Sequence, residues 1–192
     1  MLERRMWNEA AAAKPSAEER ARSLLGGHGS RWAHVQGVAA RAEELDVSED
    51  VINAAWLHDI GYADQLRDTG MHAIDGALFL RREGWPPVIC SLVARHTGAA
   101  FEAEERHLVE ALDKFPDPPR ELLDALTLCD LTVAPDGTES RISERLGEIL
   151  ARYPEGHPVH TAVRRSRPHL ELACRRAIGA LGLAEGWGLS AL

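Results

Sequence analysis

Six histidine and aspartate residues recur along this 192-residue chain in an order that suits metal binding. In chain order they are His34, the adjacent His58 and Asp59, His72, His96 and Asp130. Imidazoles and carboxylates are costly to bury unless they are paired or bound to a metal, yet these six stand in apolar surroundings. Their nitrogen and oxygen donors suit one or two divalent cations that would act on a phosphoester or on oxygen.

Helical spacing turns these donors toward the expected interior. His58 follows Val51, Ala54 and Ala55 at intervals of seven, four and three residues, and residues so spaced share one face of a helix. The same intervals relate the other donors to apolar or small neighbours. A single histidine on such a face is more often a hydrogen-bonded core residue, but six donors together leave too many polar groups to satisfy without a metal.

The distribution of apolar residues and helix breakers predicts an all-α fold. The predicted helices cover about 2–13, 16–25, 30–45, 48–59, 71–83, 87–97, 101–114, 119–132, 138–152 and 158–182, with a loop over 61–70. Ser16 and Glu19 have the spacing of a capping box, and prolines stand at several helix starts. No stretch alternates apolar and polar residues long enough to demand a β-sheet.

Composition and charge narrow the class of partner and the compartment. The net charge of −8 and the lack of a basic stripe argue against a nucleic-acid polymer as ligand. We expect no membrane span, because no apolar run reaches 18 residues. Cys90, Cys129 and Cys174 are far apart and lack metal-binding spacing, which indicates buried thiols in a reducing cytoplasm. A homodimer remains an open alternative.

The order of the donors resembles that of the HD-domain superfamily of metal-dependent phosphohydrolases. His34, the pair His58 and Asp59, and Asp130 carry this resemblance, and the segments WLHDIG at 56–61 and RHTG at 95–98 are similar in style. The resemblance covers about residues 30–135. It implies an HD-domain helical bundle over 22–135, with an N-terminal helical extension at 1–21 and C-terminal helices at 136–192 packed on the same domain.

The added histidines resemble the members of this superfamily that hold two metals. The resemblance implies a first ion held by His34, His58, Asp59 and Asp130, with Asp59 bridging to a second ion that His72 and His96 complete. Six such donors favour Fe or Mn over Co, Ni or Zn. The implied activity is hydrolysis of a small phosphoester, with a nucleotide favoured, by metal-activated water.

Positive charge for a phosphate must come from outside the usual position. Many hydrolytic members place a lysine shortly after the His-Asp pair, whereas this chain reads Ile-Gly-Tyr-Ala at 60–63. Arg31 stands one turn before His34, and Arg95 stands beside His96, so either arginine could grip phosphate oxygens. We therefore predict Asp59, Arg31 and Arg95 as the catalytic residues.

Two other functions use the same donors. Di-iron oxygenases of the HD superfamily share the ligand order, and the missing lysine favours this alternative. A non-catalytic sensor module could instead keep the metals for its structure. Oxygen dependence separates the oxygenase from the hydrolase, and a lack of turnover on phosphoesters would separate the sensor from both.

Overall fold

The computed structural model describes residues 15–189, and ten α-helices form within that range. They are α1 (Ala17–Leu25), α2 (Ser30–Glu44), α3 (Glu49–Leu57), α4 (His72–Arg82), α5 (Pro87–Arg95), α6 (Ala99–Glu105), α7 (Val109–Leu112), α8 (Arg120–Leu131), α9 (Ile142–Arg152) and α10 (Pro158–Ala180). Two 3₁₀ helices, η1 (Ile60–Tyr62) and η2 (Asp64–Leu66), occupy the predicted loop. Between residues 15 and 189 extended pairing is limited to one bridge, Val133 with Glu139. The all-α prediction is confirmed, and the predicted helix 2–13 lies outside the described residues.

Local sequence signals account for several helix boundaries. The capping box forms at α1, where the Ser16 hydroxyl accepts from the Glu19 backbone nitrogen at 3.1 Å and the Glu19 carboxylate accepts from the Ser16 nitrogen at 2.8 Å. Pro87 and Pro158 begin α5 and α10, because proline lacks the amide hydrogen that a first helical residue does not need.

The predicted helix 101–114 is wrong as a single element. It divides into α6 and α7, and His107 between them adopts a positive φ of 56°. That left-handed conformation interrupts the helical hydrogen bonds. The predicted helix 138–152 also begins later, at Ile142, because the Thr138 carbonyl and the Ser140 nitrogen bond back to the segment after α8.

α3 is the central helix of the bundle and packs against α1, α2, α5 and α8. Its residues Val51, Ala54, Ala55 and Leu57 are fully buried, and the two alanines let neighbouring helices approach closely. The chain that leaves α3 is therefore already in the interior. At the other side α10 covers α6, α8 and α9. Across residues 15–189 the helices are too short or too polar to cross a membrane.

Gly61 lets α4 approach the end of α3 backbone to backbone. A Cβ atom placed on Gly61 would lie 2.7 Å from the Gly76 nitrogen and closer still to the His72 carbonyl oxygen. Only glycine fits this contact, since the obstructing atoms belong to a helix backbone that cannot turn aside as a side chain can. The contact fixes the start of α4 beside the His58 and Asp59 pair.

We expect Gly61→Ala to lower the free energy of unfolding by about 3 kcal/mol or more, because the added methyl group must displace the backbone of α4. Urea denaturation followed by circular dichroism measures this change.

Gly147→Ala is the matched control. Gly147 lies within α9, and a Cβ atom there would meet nothing within 4 Å. Alanine is the better helix former, so this variant should be more stable than the wild type by about 0.5–1 kcal/mol. Equal stabilities for the two variants would contradict the backbone contact at Gly61.

Candidate metal centre

The six donors predicted from the sequence lie together in the interior of the bundle. Five lie at or beside helix starts or ends, which are the positions where a side chain can turn into a shared space. His34 lies on α2, His58 and Asp59 follow α3, His72 begins α4, His96 follows α5, and Asp130 lies in the last turn of α8. His72 is the most exposed, with 16% of its side chain accessible.

Asp59 divides its two carboxylate oxygens between two groups of histidines. Oδ2 lies 3.4 Å from His58 Nε2, whereas Oδ1 lies 3.4 Å from His72 Nε2 and 3.9 Å from His96 Nε2. Donor atoms of His34, His58 and Asp59 gather within 4.8 Å of one another, as do those of Asp59, His72 and His96. Asp59 is common to both groups, so its carboxylate could serve as a ligand in each of them.

Asp130 lies on the His34 side of the cluster. Its Oδ1 is 3.0 Å from His34 Nε2, and its Oδ2 accepts a hydrogen bond from the Thr97 hydroxyl. Adjacent ligands of one octahedral ion stand about 3.0 Å apart when the metal–ligand bonds are about 2.1 Å long. The His34 and Asp130 pair therefore fits one coordination sphere.

Backbone carbonyls hold three of the imidazoles in the orientation that metal binding requires. His58 Nδ1 donates to the Ala55 oxygen at 2.8 Å, and His96 Nδ1 donates to the Val93 oxygen at 2.7 Å. His34 Nδ1 is likewise 3.2 Å from the Ala134 oxygen. Each bond places the proton on Nδ1 and leaves the Nε2 lone pair facing the cluster.

His58 gives the clearest sign that a cation fits this site. Its Nε2 atom is buried and has no hydrogen-bond partner. The Asp59 oxygen 3.4 Å away is too distant for a well-formed hydrogen bond. An unsatisfied buried polar atom costs about 1–3 kcal/mol, and coordination of a cation would satisfy it.

The charges in the cluster also suit metal binding. Burial favours neutral carboxyl groups, but Arg31 and His58 hold the pKa of Asp59 well below its usual range. Burial likewise opposes ionisation of Asp130, but His34, His58 and Arg145 together outweigh burial and lower that pKa. Burial lowers the pKa of His72 to about 3 against the attraction of Asp59. At neutral pH the cluster thus presents ionised carboxylates and, at His72, a neutral imidazole.

Arg31 reaches the cluster from α2. Its guanidinium donates to Asp59 Oδ2 and stacks 4.0 Å above the Tyr62 ring. The Tyr62 ring in turn stacks on His72 at 4.1 Å. Arg31 therefore occupies the cavity beside the donors, as its predicted contact with a substrate requires.

The structure does not bring Arg95 to this cavity. α5 ends at Arg95, and neighbouring residues of a helix point about 100° apart, so Arg95 and His96 face different directions. Arg95 Nε donates to the Phe115 carbonyl at 2.8 Å, and its Nη1 lies 2.9 Å from an Asp117 oxygen. The position of Arg95 therefore does not support the predicted phosphate contact, because its guanidinium instead secures the segment before α8.

Two arginines that were not among the predicted site residues also line the cavity. Arg145 and Arg152 come from α9, and Tyr153 follows them. The available signal was the placement of Arg145 on the same helical face as the apolar residues Ile142 and Ile149. A charged residue on an apolar stripe needs a polar partner inside the fold.

The comparisons with known proteins agree with this arrangement. The family model described as HD domain matches residues 31–133, which include all six donors and end before α9. The match lies within the predicted module 22–135, whose limits remain a prediction. No curated protein and no solved structure matches the chain.

We expect the metal-free protein to lose stability as the pH falls from about 6.5 toward 3. The native pKa of His72 is about 3 and its ordinary value is 6.5, so in this interval the unfolded chain binds a proton that the folded chain excludes. Each such group adds a slope of at most about 1.4 kcal/mol per pH unit. The lowered pKa values of Asp59 and Asp130 act in the same direction below about pH 4.

Urea denaturation with a chelator present, repeated between pH 7 and 4, measures the profile. His72→Gln should reduce the slope of unfolding free energy against pH, by less than the full contribution of one proton, since glutamine does not titrate. His28→Gln, at an exposed position before α2, is the control and should keep the wild-type slope. Parallel profiles for all three proteins would contradict the lowered pKa of His72.

Proposed function

Because this chain belongs to the HD-domain family, we propose that it is a metal-dependent phosphohydrolase that cleaves a small phosphoester with metal-activated water. The observation that carries the proposal is the position of Asp59, whose two oxygens face separate groups of histidines. Paired-cation sites with a shared carboxylate suit in-line displacement at phosphorus, where entering and leaving oxygens both need positive charge.

The ligands of each cation follow from the two groups of donors. We assign His34, His58, Asp59 and Asp130 to the first cation, and Asp59, His72 and His96 to the second. Nitrogen and oxygen donors in this number fit Fe or Mn. When bound, the metal pair supplies a water molecule of lowered pKa and positive charge beside the phosphoryl oxygens.

The protein itself orients the donors and supplies further charge. The carbonyls of Ala55 and Val93 keep two imidazoles fixed, and the Thr97 hydroxyl holds one oxygen of Asp130. Arg31 lies in the cavity with a guanidinium that can form a pair of hydrogen bonds to a phosphoryl group. It supplies the positive charge that the segment 60–63 lacks.

The space at the donors is small, so most of a substrate must lie outside it. The cavity there has a volume of about 90 Å³, which corresponds to about three water molecules. A phosphoryl group and a water molecule fit this volume, but a nucleotide does not. A neighbouring cavity of about 460 Å³ shares the walls Tyr62 and Tyr153 and also contacts His157. Its size and rings suit the organic part of a nucleotide, which we propose as the substrate.

We expect Asp59→Asn to lower kcat/KM by about 100-fold or more, because a neutral amide is a poor bridge between two cations. The metal content should fall from two ions per chain to at most one. Elemental analysis and a panel of nucleotides and phosphomonoesters, assayed anaerobically with Mn, measure the two effects.

Asp64→Asn is the matched control. This variant makes the same chemical change five residues away, at a position in η2 where 80% of the side chain is exposed. This variant should keep the wild-type metal content and activity.

An isotope experiment tests the reaction class. In water enriched in heavy oxygen, hydrolysis without O₂ should place one labelled atom in the cleaved phosphate. Turnover that requires O₂ would instead indicate the oxygenase, and a metal-loaded protein that turns over no member of the panel would indicate the sensor module. Either result contradicts the proposal.

A further inference from the structure

α9 brings two arginines to the metal centre from outside the residues that match the family. Arg145 lies on the buried face of α9 with only 5% of its side chain exposed, and Arg152 follows seven residues later with 34% exposed. Residues seven positions apart lie on the same face of a helix. Both line the cavity at the donors, so α9 forms a charged wall of that cavity.

A third cavity, of about 340 Å³, adjoins this wall, and we call it the arginine cavity. Its lining residues are Ser30, Arg31, His34, Pro135, Arg145, Glu148 and Arg152. Three guanidinium groups face one carboxylate there, although the whole chain has a net charge of −8. The cavity beside Tyr62 and Tyr153 is balanced by comparison, with two arginines and two acidic residues. Positive charge is thus concentrated on one side of the metal centre.

Glu148 lies between the two arginines of α9. It accepts hydrogen bonds from Arg145 at Oε2 and from Arg152 Nε at Oε1, the latter at 2.9 Å. Its side chain is 36% exposed, so it can turn toward solvent. Glu148 therefore neutralises part of the charge that an incoming anion would otherwise meet.

Arg145 retains a donor that nothing in the described protein satisfies. Its Nε atom is buried and has no hydrogen-bond partner. A buried unpaired donor is unfavourable, and the loss is larger for a charged group. Arg145 also lines the arginine cavity, where an oxyanion would pair with its guanidinium group.

We propose that Arg31, Arg145 and Arg152 bind a second phosphate group of the substrate, next to the phosphoryl group at the metal centre. This inference rests on the proposed function and deepens it, since it names the substrates as compounds with two or more linked phosphates. The two cavities share Arg31, His34, Arg145 and Arg152 as walls. A lone phosphate at the donors would leave Arg145 and Arg152 with Glu148 as the carboxylate that they share.

The test compares pyrophosphate with orthophosphate, each titrated by calorimetry into the Mn-loaded full chain. Pyrophosphate should bind at least about tenfold more tightly than orthophosphate, because it reaches both cavities. Arg152→Gln should weaken pyrophosphate binding about tenfold and orthophosphate binding less than about threefold. Glu148→Gln should strengthen pyrophosphate binding, since it removes the competing carboxylate. Binding of Mn by free pyrophosphate is common to all variants and cancels in their comparison.

Arg82→Gln is the matched control for the loss of one positive charge. Arg82 is exposed at the opposite end of α4 from His72, about 15 Å along the helix. Equal effects of Arg82→Gln and Arg152→Gln, or no preference for pyrophosphate, would overturn the inference.

These binding results stand even if no phosphoester is hydrolysed. Conversely, hydrolysis in which Arg152→Gln impairs monophosphate and diphosphate substrates equally would preserve the proposed function and refute the second phosphate site.

Discussion

Burial of four imidazoles and two carboxylates in one small interior space is the constraint on which the structure depends. Part of this constraint is satisfied by the same side-chain to backbone hydrogen bond at two helix ends. His58 and His96 each follow the last helical residue and donate Nδ1 to the carbonyl three residues earlier. The bond satisfies a carbonyl that the ending helix would leave free, and it directs Nε2 into the cluster. At His58 and at His96, the hydrogen bond that completes the end of the helix is therefore also the bond that orients the donor.

Close backbone approaches complete the arrangement. Gly61 admits the start of α4, and Gly37 admits the turn after α8, where an added Cβ would lie 2.6 Å from the Gly137 carbonyl oxygen. The second contact also positions the Ala134 carbonyl that accepts from His34. Small residues in this bundle thus determine how closely the donor-bearing elements approach one another, and these approaches bring the donors together.

The sequence predicted the features that follow from helical period and local capping. Helix positions and the inward face of each donor belong to this class. The break at His107 escaped prediction because positive φ at a non-glycine residue has no strong compositional signal. Arg95 lies away from the cavity because adjacent residues of a helix face different directions, so proximity to His96 in the sequence does not bring its side chain to the donors.

Arg145 and Arg152 were missed because a charge on an amphipathic helix normally faces solvent. Their role depends on how α9 is placed against the bundle, which neither helical period nor the family match at 31–133 includes. Such tertiary placement cannot be predicted from local sequence patterns.

Arg31 links the charge of the metal centre to that of the arginine cavity. Without a cation, Arg31 and His58 both face Oδ2 of Asp59, and Asp59 raises the pKa of each although burial opposes this. A cation held by the first group of donors would take over part of that balancing role, because Asp59 is among its proposed ligands. The Arg31 guanidinium would then have lost its main counterion while still lining the arginine cavity. On the proposed assignment, metal loading therefore favours anion binding through Arg31, and by thermodynamic reciprocity a bound anion favours metal loading.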